Sequence, residues 1–266
     1  MIKEATETVV NDSIIKVNAF DNFDIYYTTK NGGVSEGPYA SFNLGLHVED
    51  DNKAVLQNRL KLENTLNKKL VFMDQTHSAN VFLVDKDDVS DSKAMLDGSS
   101  PISLGVKSDG IVTTNKNLAL VVLTADCLPL ILVSKDKKAF GAIHCGWKGV
   151  YKGVIQSAVF LMRKYSSYDL QAYIGPCIGP NSFEVGPELL DKFNEVIKDA
   201  SKAFTPKANG KYLCSLPMLV EMTLNKLGVD NIYQSNKDTY KETSLLYSYR
   251  QSACTGRMGT IVCAKI

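Results

Sequence analysis

The sequence is poor in several features that would assign it to a specialised class of protein. It has three histidines and one tryptophan in 266 residues, and its longest apolar stretch, residues 118–133, is interrupted by Thr124, Asp126 and Pro129. A membrane-spanning helix needs about 20 consecutive apolar residues, so we expect no membrane partner. The six cysteines are too sparse for a secreted disulfide scaffold.

The charge balance excludes a second group of functions. The chain carries 30 basic and 29 acidic residues, so no global field attracts it to nucleic acid or to an anionic membrane. Its first ten residues include acidic side chains and lack the apolar core of a secretory signal. We therefore expect a cytoplasmic protein that does not bind nucleic acid.

The rest of the composition, 44% hydrophobic and 22% charged, is that of an ordinary globular protein. Apolar periodicity and turn residues separate strands from helices. The predicted strands are 14–19, 23–29, 70–73, 80–85, 118–124, 128–133, 140–144, 171–175, 231–235, 245–249 and 259–264, and the predicted helices are 52–68, 149–165, 187–200 and 217–227. Their alternation predicts an α/β fold with mixed sheets in one domain, residues 1–266, in which residues 86–108 form a long exposed loop.

Two histidines and a cysteine stand where strands are predicted to end. His77 lies between two predicted strands, His144 ends another, and Cys127 separates two apolar runs. Strand ends that face a crevice are where α/β folds bind ligands. Two imidazoles and a thiolate suit Zn²⁺, and catalytic zinc sites use three protein ligands with a fourth position open. These three residues are a candidate metal site, although their spacings of 50 and 17 residues match no local zinc motif.

Two other interpretations of these residues stay open. Cys127 also resembles a small buried hydrophobe, and histidines in turns are often only hydrogen-bonded. Alternatively, a cysteine is a nucleophile activated by a histidine and a carboxylate. The candidates for that arrangement are Cys127 or Cys145, His77 or His144, and Asp74 or Asp126. Since Cys145 follows His144 in a strand, it points to the opposite face, which favours Cys127.

A phosphate or another anionic ligand would require cations in the same crevice. The candidates are Lys30, Arg59, Lys148, Arg250 and Arg257. Of these, Lys148 is the most typical of a solvated surface, whereas Arg250 closes an aromatic segment.

Ten ordered motifs together resemble a known family. They are KNGGVS (30–35), SFNLGLH (41–47), NR (58–59), QTH (75–77), TADCLP (124–129), HCGWKG (144–149), IGPCIG (174–179), FEVG (183–186), YSYR (247–250) and TGRM (255–258). The chain resembles the laccase-domain family of bacterial zinc purine nucleoside phosphorylases, also described as multicopper polyphenol oxidase-like proteins. It departs from the family pattern at Ser215, Asp238-Thr239 and Cys145, none of which is a metal ligand.

The resemblance implies a fold, a reaction and a ligand set. The implied fold is a layered α/β/β/α arrangement, and the implied reaction is phosphorolysis of adenosine, inosine, guanosine and methylthioadenosine, with adenosine deamination in the same site. The family's zinc ligands fall on His77, Cys127 and His144, which would also be the catalytic residues; copper is the alternative metal. The partners are then purine nucleosides and phosphate, and we expect a monomer.

For phosphorolysis we expect zinc and a cationic shelf to position phosphate against C1′ of the ribose. The shelf would consist of Lys30, Arg59 and Arg250. We expect His47 either to contact the substrate or to support the metal ligands, with a purely structural role as the alternative.

Three rival functions come from other classes of protein. One is a cysteine hydrolase that uses Cys127 with a histidine, and another is a non-catalytic accessory protein linked to the cell wall. The third, a copper phenol oxidase, is physically weak because three histidines cannot furnish a blue-copper centre and a trinuclear cluster.

Overall fold

The computed structural model describes residues 2–85, 96 and 105–265. Eighteen strands occur in these ranges. They are β1 Lys3–Glu4, β2 Thr6–Asn11, β3 Ile14–Asn18, β4 Phe23–Thr28, β5 Lys69–Val71, β6 Met73–Asp74, β7 Val81–Leu83, β8 Val106–Lys107, β9 Gly110–Thr113, β10 Leu118–Thr124, β11 Leu128–Ser134, β12 Phe140–Cys145, β13 Leu170–Ile174, β14 Glu184–Val185, β15 Phe204–Pro206, β16 Tyr212–Cys214, β17 Asn231–Gln234 and β18 Met258–Ala264.

Five α-helices lie in the described ranges: α1 Asn52–Leu66, α2 Trp147–Lys152, α3 Val154–Arg163, α4 Pro187–Val196 and α5 Leu216–Lys226. Short 3₁₀ turns occur at Gly37–Tyr39 and Ala200–Ala203. Sequence chemistry sets several helix ends. Asp51 caps the start of α1 by accepting from the Lys53 amide, and Ser215 caps α5 by accepting from the Met218 amide.

Two mixed sheets form the centre of the protein. One has the strand order β2-β3-β4-β18-β10-β5, and the other has the order β1-β17-β13-β11-β12-β9-β7. Their inner faces share one apolar core, to which Ile25 and Val122 contribute from the first sheet and Ile131 and Tyr173 from the second. Because one face of each central strand is buried in this core, the burial fixes which side chains point inward.

Helices cover both outer faces. Helix α1 packs Leu62 on the six-stranded sheet, whereas α3 and α5 pack side chains such as Ile155 and Leu219 on the seven-stranded sheet. The architecture is therefore α/β/β/α with mixed sheets, as the sequence and the resemblance predicted.

The site depends on one connection between the sheets. Strands β10 and β11 are consecutive in sequence but belong to different sheets, so residues 125–127 cross from one sheet to the other. Strand β12 pairs antiparallel with β11, with Pro129 opposite His144. Because antiparallel neighbours bring the start of one strand beside the end of the other, Cys127 and His144 meet at the same edge.

Most predicted elements are confirmed, and the differences have local causes. The helix predicted over 149–165 is divided at Gly153, which adopts φ +92°. The helix predicted over 187–200 ends at Val196, and a separate 3₁₀ turn follows. The sequence analysis predicts no strand at the positions of β1, β2, β9, β14, β15 and β16. The predicted loop 86–108 lies largely outside the described residues, and its end contains β8, which pairs with β6.

The strand predicted over 245–249 is wrong. These residues form turns, and Leu246 and Tyr247 are buried against the core between the sheets. The Tyr247 hydroxyl donates to the carbonyl of Tyr39 at 2.5 Å. The apolar residues of segment 245–249 are therefore buried in a loop. A short apolar run does not by itself distinguish a buried loop from a strand.

Candidate active site

Three side chains from distant parts of the sequence converge at the edge where the sheets meet. The ligand atoms of His77, Cys127 and His144 all lie within 4.8 Å of one another. His77 Nε2 is 3.8 Å from Cys127 Sγ, and the two imidazole rings are nearly perpendicular with centroids 4.8 Å apart. The sequence-predicted set is therefore brought together in space.

Two residues at the site have unusual backbone conformations: His77 itself and the residue before Cys127. His77 adopts φ +58° and Asp126, immediately before Cys127, adopts φ +90°. Non-glycine residues rarely occupy this left-handed region, and those that do cluster at functional sites. The Asp126 carboxylate stabilises its turn, because it accepts from the Thr239 hydroxyl at 2.6 Å and from the Arg250 amide at 2.6 Å.

One buried carboxylate organises both histidines. Asp109 Oδ1 accepts from His144 Nδ1 at 2.8 Å and from the His77 amide at 2.9 Å. Its Oδ2 accepts from the amides and hydroxyls of Thr76 and Ser78, the shortest being the Ser78 amide at 2.6 Å. With Nδ1 of His144 committed to Asp109, Nε2 is the nitrogen left to face a metal, as in other carboxylate–histidine–metal arrangements.

The electrostatics of the group favour a deprotonated thiol. Burial opposes the thiolate, but the neighbouring His144 and the hydrogen bonds from both histidines lower the pKa of Cys127 to about 6. Burial would likewise lower the pKa of His144, but the Cys127 thiolate and Asp109 raise it to about 9. Burial also opposes the Asp109 carboxylate, yet its hydrogen bonds with His144 and Ser78 hold its pKa well below its ordinary value. A thiolate is the form that binds metals.

A glycine leaves room for this group. A Cβ on Gly146 would lie 2.8 Å from His77 Cδ2 and 3.2 Å from Cys127 Sγ, so no larger residue fits without displacing a ligand. Two imidazoles, one thiolate, a carboxylate behind one imidazole and open space in front fit a three-ligand zinc site. Cys145 is buried on the helix side of its sheet and takes no part.

The three side chains form part of the wall of a cavity of about 450 Å³, a size within the usual range for small-molecule sites. Its other lining residues are His47, Gln75, Leu123, Thr124, Ala125, Asp126, Trp147, Ile178, Phe183, Leu216, Tyr249, Arg250 and Arg257. Apolar and aromatic side chains therefore face a metal-ligand group and two guanidinium groups across the same space. His47 is exposed at the mouth of this cavity. The protein surrounding its imidazole and the nearby charges of Arg257 and Arg59 lower its pKa to about 4, so the ring is neutral at pH 7.

Two predicted substrate contacts lie elsewhere. Arg59 is 2% exposed, donates from Nε to the Leu44 carbonyl at 2.9 Å, and stacks on the Phe72 ring at 3.7 Å. Lys30 is not among the lining residues, and its backbone holds the turn that leads to Phe42. Arg59 and Lys30 thus have structural contacts here, and their binding of substrate stays a prediction that this geometry does not support.

Arg250 and His47, by contrast, do line the cavity. Arg250 Nη1 donates to the Glu184 carbonyl at 3.0 Å, and its guanidinium lies 5.3 Å from the Phe183 ring centroid. Sequence reasoning missed Asp109 altogether. It noted Arg257 as a cation but did not include it among the site residues.

The sequence also matches a family defined from other proteins. Residues 24–265 match the family described as multi-copper polyphenol oxidoreductase laccase. The chain belongs to this family. The assignment confirms the resemblance drawn from the ten motifs.

Named relatives of this laccase-domain protein align along nearly its whole length. A purine nucleoside phosphorylase of Haemophilus influenzae is 36% identical over 250 residues, which cover 92% of this chain and 96% of the relative. Purine nucleoside phosphorylase YlmD of Bacillus subtilis is 33% identical over 246 residues, covering 89% and 86% respectively.

Solved structures have the same fold. YlmD from Geobacillus stearothermophilus superposes with a TM-score of 0.86 at 28% identity, covering 97% of this chain and 98% of that one. The Bacillus licheniformis protein YfiH gives a TM-score of 0.88 at 31% identity, covering 97% and 99%. None of the helices in the described ranges of this laccase-domain protein has the length and apolar character that a membrane span requires.

Proposed function

We propose that this laccase-domain protein is a zinc-dependent purine nucleoside phosphorylase. The observation that carries the proposal is the convergence of His77, Cys127 and His144 on the wall of a cavity large enough for a nucleoside. Relatives that share 36%, 33% and 32% of their aligned residues with this chain are named purine nucleoside phosphorylases. The site and the relatives' names therefore support the same activity.

In phosphorolysis, a phosphate oxygen bonds to C1′ of the ribose while the bond from C1′ to the purine nitrogen breaks. The electron pair of that bond leaves with the purine, which takes up a proton, and the products are ribose 1-phosphate and the free base. The protein must therefore hold an anion close to the sugar and accommodate a flat, partly apolar base. Charge that develops in the transition state is stabilised best by groups already fixed in place.

The cavity residues suit these tasks. The Arg250 guanidinium supplies positive charge for phosphate. Trp147, Phe183 and Leu216 provide an apolar wall for the base, and His47 supplies a neutral imidazole for a hydrogen bond. Zinc, when held by the three ligands, would add Lewis acidity at the wall of the cavity.

We propose zinc rather than copper as the metal. Two imidazoles and one thiolate with a fourth position open are typical of catalytic zinc. A multicopper oxidase would need many more histidines than the three in this sequence.

We further propose that adenosine, inosine, guanosine and methylthioadenosine are substrates, and that the same site deaminates adenosine. In that reaction water attacks C6 of the base, the C6–N bond breaks, and ammonia leaves to give inosine. We also propose that residues 1–266 form one domain, that the protein is a monomer, and that it acts in the cytoplasm. Neither the cysteine hydrolase nor the accessory protein is favoured by the relatives' names.

Product analysis tests the proposal. Zinc-loaded protein is incubated with each nucleoside, with and without phosphate, and the products are separated by chromatography. We expect free base and the sugar 1-phosphate only when phosphate is present: ribose 1-phosphate from adenosine, inosine and guanosine, and 5-methylthioribose 1-phosphate from methylthioadenosine. Inosine should form from adenosine in both cases. Release of base that does not depend on phosphate would contradict phosphorolysis, and absence of inosine would remove the deamination from the proposal.

A further inference from the structure

Arg257 is held in the cavity by its main chain. Its amide donates to Asn43 Oδ1 at 2.8 Å, and its carbonyl accepts from the Leu44 amide at 3.1 Å. The side chain packs directly on Gly45, where a Cβ would lie 2.8 Å from Arg257 Cγ. The segment 43–45 therefore fixes both the backbone and the stem of this arginine.

Among the described residues, the Arg257 guanidinium donates its hydrogen bonds to carbonyl groups. Nη1 donates to the carbonyls of Thr255 and Gly256, at 2.9 and 3.0 Å, and the group lies 5.8 Å from the Tyr249 ring centroid. Within residues 2–85, 96 and 105–265, no carboxylate lies within 4 Å of the guanidinium nitrogens of Arg257 or Arg250. The Arg257 side chain is partly buried, and such charges are usually paired. Because it shares the cavity with the exposed Arg250 and neither has a carboxylate partner among the described residues, the two cations suit an anionic ligand.

The Asp126 carboxylate, which also lines the cavity, does not fill this role. Its two oxygens accept from the Thr239 hydroxyl and from the backbone amide of Arg250. It therefore holds the main chain that carries one guanidinium rather than neutralising it.

We propose that Arg257 and Arg250 form a phosphate-binding subsite beside the metal ligands, and that Asn43 is the residue that positions Arg257. A planar guanidinium can donate two parallel hydrogen bonds to phosphate, which a lysine cannot. The sequence-based expectation was a shelf of Lys30, Arg59 and Arg250. The subsite keeps Arg250 and has Arg257 in place of the other two residues. Its identity as a co-substrate site rests on the proposed phosphorolysis, whereas binding of the phosphate group does not.

Asn43 suits a positioning role because its amide is fully used. It is completely buried, its Oδ1 accepts from the amides of Gly45 and Arg257, and its Nδ2 donates to Asp50 Oδ2 at 2.8 Å. Removing this amide would leave the Arg257 guanidinium intact but would remove the hydrogen bond to its backbone amide, leaving the contact with the Leu44 amide.

The test measures phosphate binding and turnover separately. Binding of inorganic phosphate to zinc-loaded protein is measured by calorimetry, and KM values for phosphate and inosine are measured by base release. For Arg257→Gln we expect phosphate binding to weaken at least about tenfold, in line with the loss of a charged hydrogen-bond partner, while the KM for inosine changes less than about twofold. Arg257→Lys should recover part of the loss, and Arg163→Gln, on the outer helix α3, should match the wild type.

Asn43→Ala tests the positioning role. We expect a severalfold rise in the KM for phosphate with little change in the KM for inosine. A residue that only supported the fold would lower the melting temperature without this separation of KM values. Equal rises in both KM values, or none in either, would overturn the role of Asn43.

Adenosine 5′-monophosphate distinguishes the source of the phosphate group. If inorganic phosphate displaces it and Arg257→Gln weakens the binding of both, the subsite recognises phosphate groups as proposed. Unchanged phosphate binding in both Arg257→Gln and Arg257→Lys, or no phosphate binding to the wild type, would overturn the subsite. Phosphate binding that depends on Arg257 in a protein without phosphorolysis would uphold the subsite and reject the proposed function.

Discussion

Asp109 Oδ1 lies 2.8 Å from Nδ1 of His144 and is completely buried. The same carboxylate also accepts hydrogen bonds from the turn that carries His77. Two of the three candidate metal ligands are therefore oriented by one side chain that is not itself a member of the set. This arrangement makes the geometry of the site depend on a residue outside the ligand set.

Replacing Asp109 with Asn should weaken zinc binding by about 10- to 100-fold. The amide keeps one acceptor oxygen, but its NH₂ group would face the donors of Thr76 or Ser78, so one half of the network is lost. Competition with a fluorescent zinc chelator measures the effect. Asp85→Asn, at a distant turn where the carboxylate accepts from Thr113 and Thr114, is the matched control. Unchanged zinc affinity in Asp109→Asn would reject the orienting role.

Arg59→Ala should destabilise the protein without altering phosphate recognition. The guanidinium is stacked on Phe72 and bonded to the Leu44 carbonyl, so truncation removes buried contacts and we expect a loss of about 3 kcal/mol in the free energy of unfolding. Denaturant titration measures the loss of stability, and the KM for phosphate measures whether recognition of phosphate has changed. Lys53→Ala, exposed on the same helix, should change neither. A tenfold rise in the KM for phosphate at unchanged stability would instead make Arg59 a substrate contact.

Glu184 should contribute a pH-dependent part of the stability. Hydrogen bonds from Lys207 and Lys211 lower its pKa to about 2, below its ordinary value near 4.5. The unfolded chain therefore binds the proton more readily than the folded protein between these values. The stabilisation is fully present above about pH 4.5 and is lost as the pH falls through about 2.

The variant Glu184→Gln tests this contribution. Its melting temperature is compared with that of the wild type between pH 2 and pH 7. Its melting temperature should lie slightly below that of the wild type at pH 7, and the difference should shrink as the pH falls below about 4.5, because exposed ion pairs contribute little. Glu221→Gln, a glutamate without an ion pair among the described residues, is the control. A difference that grows on acidification would contradict the assignment.

Local sequence patterns predicted the parts of the site that depend on strand ends. The runs of β10, β11 and β12 were visible, and antiparallel pairing of β11 with β12 places Cys127 beside His144. Nothing in the sequence indicated that Asp109 belongs to the site, because Ser108-Asp109-Gly110 resembles an ordinary turn. Its importance arises from pairing of β9 with β12, which brings the Asp109 carbonyl to the His144 amide at 2.7 Å, a contact 35 residues distant in sequence.

The placement of Arg59 did have a sequence signal. It lies four residues after Val55 and three before Leu62, so it shares the apolar stripe by which α1 packs on its sheet. A residue in that stripe points into the protein rather than toward a crevice. The segment 245–249 illustrates the opposite case, because its apolar residues are buried by loop packing that no local pattern distinguishes from a strand.

The most direct test of the account is a zinc titration of metal-free protein, with phosphate-dependent release of base from inosine measured at each step. We expect activity to rise in proportion to zinc and to stop rising at about one equivalent per chain. Cys127→Ala should remain inactive at every zinc concentration. Cys145→Ala is the matched control, because Cys145 ends the adjacent strand β12 and is buried on the helix side of the sheet, and this variant should follow the wild type. Full activity in the metal-free protein, or in Cys127→Ala, would contradict the central claim that His77, Cys127 and His144 form the catalytic metal site.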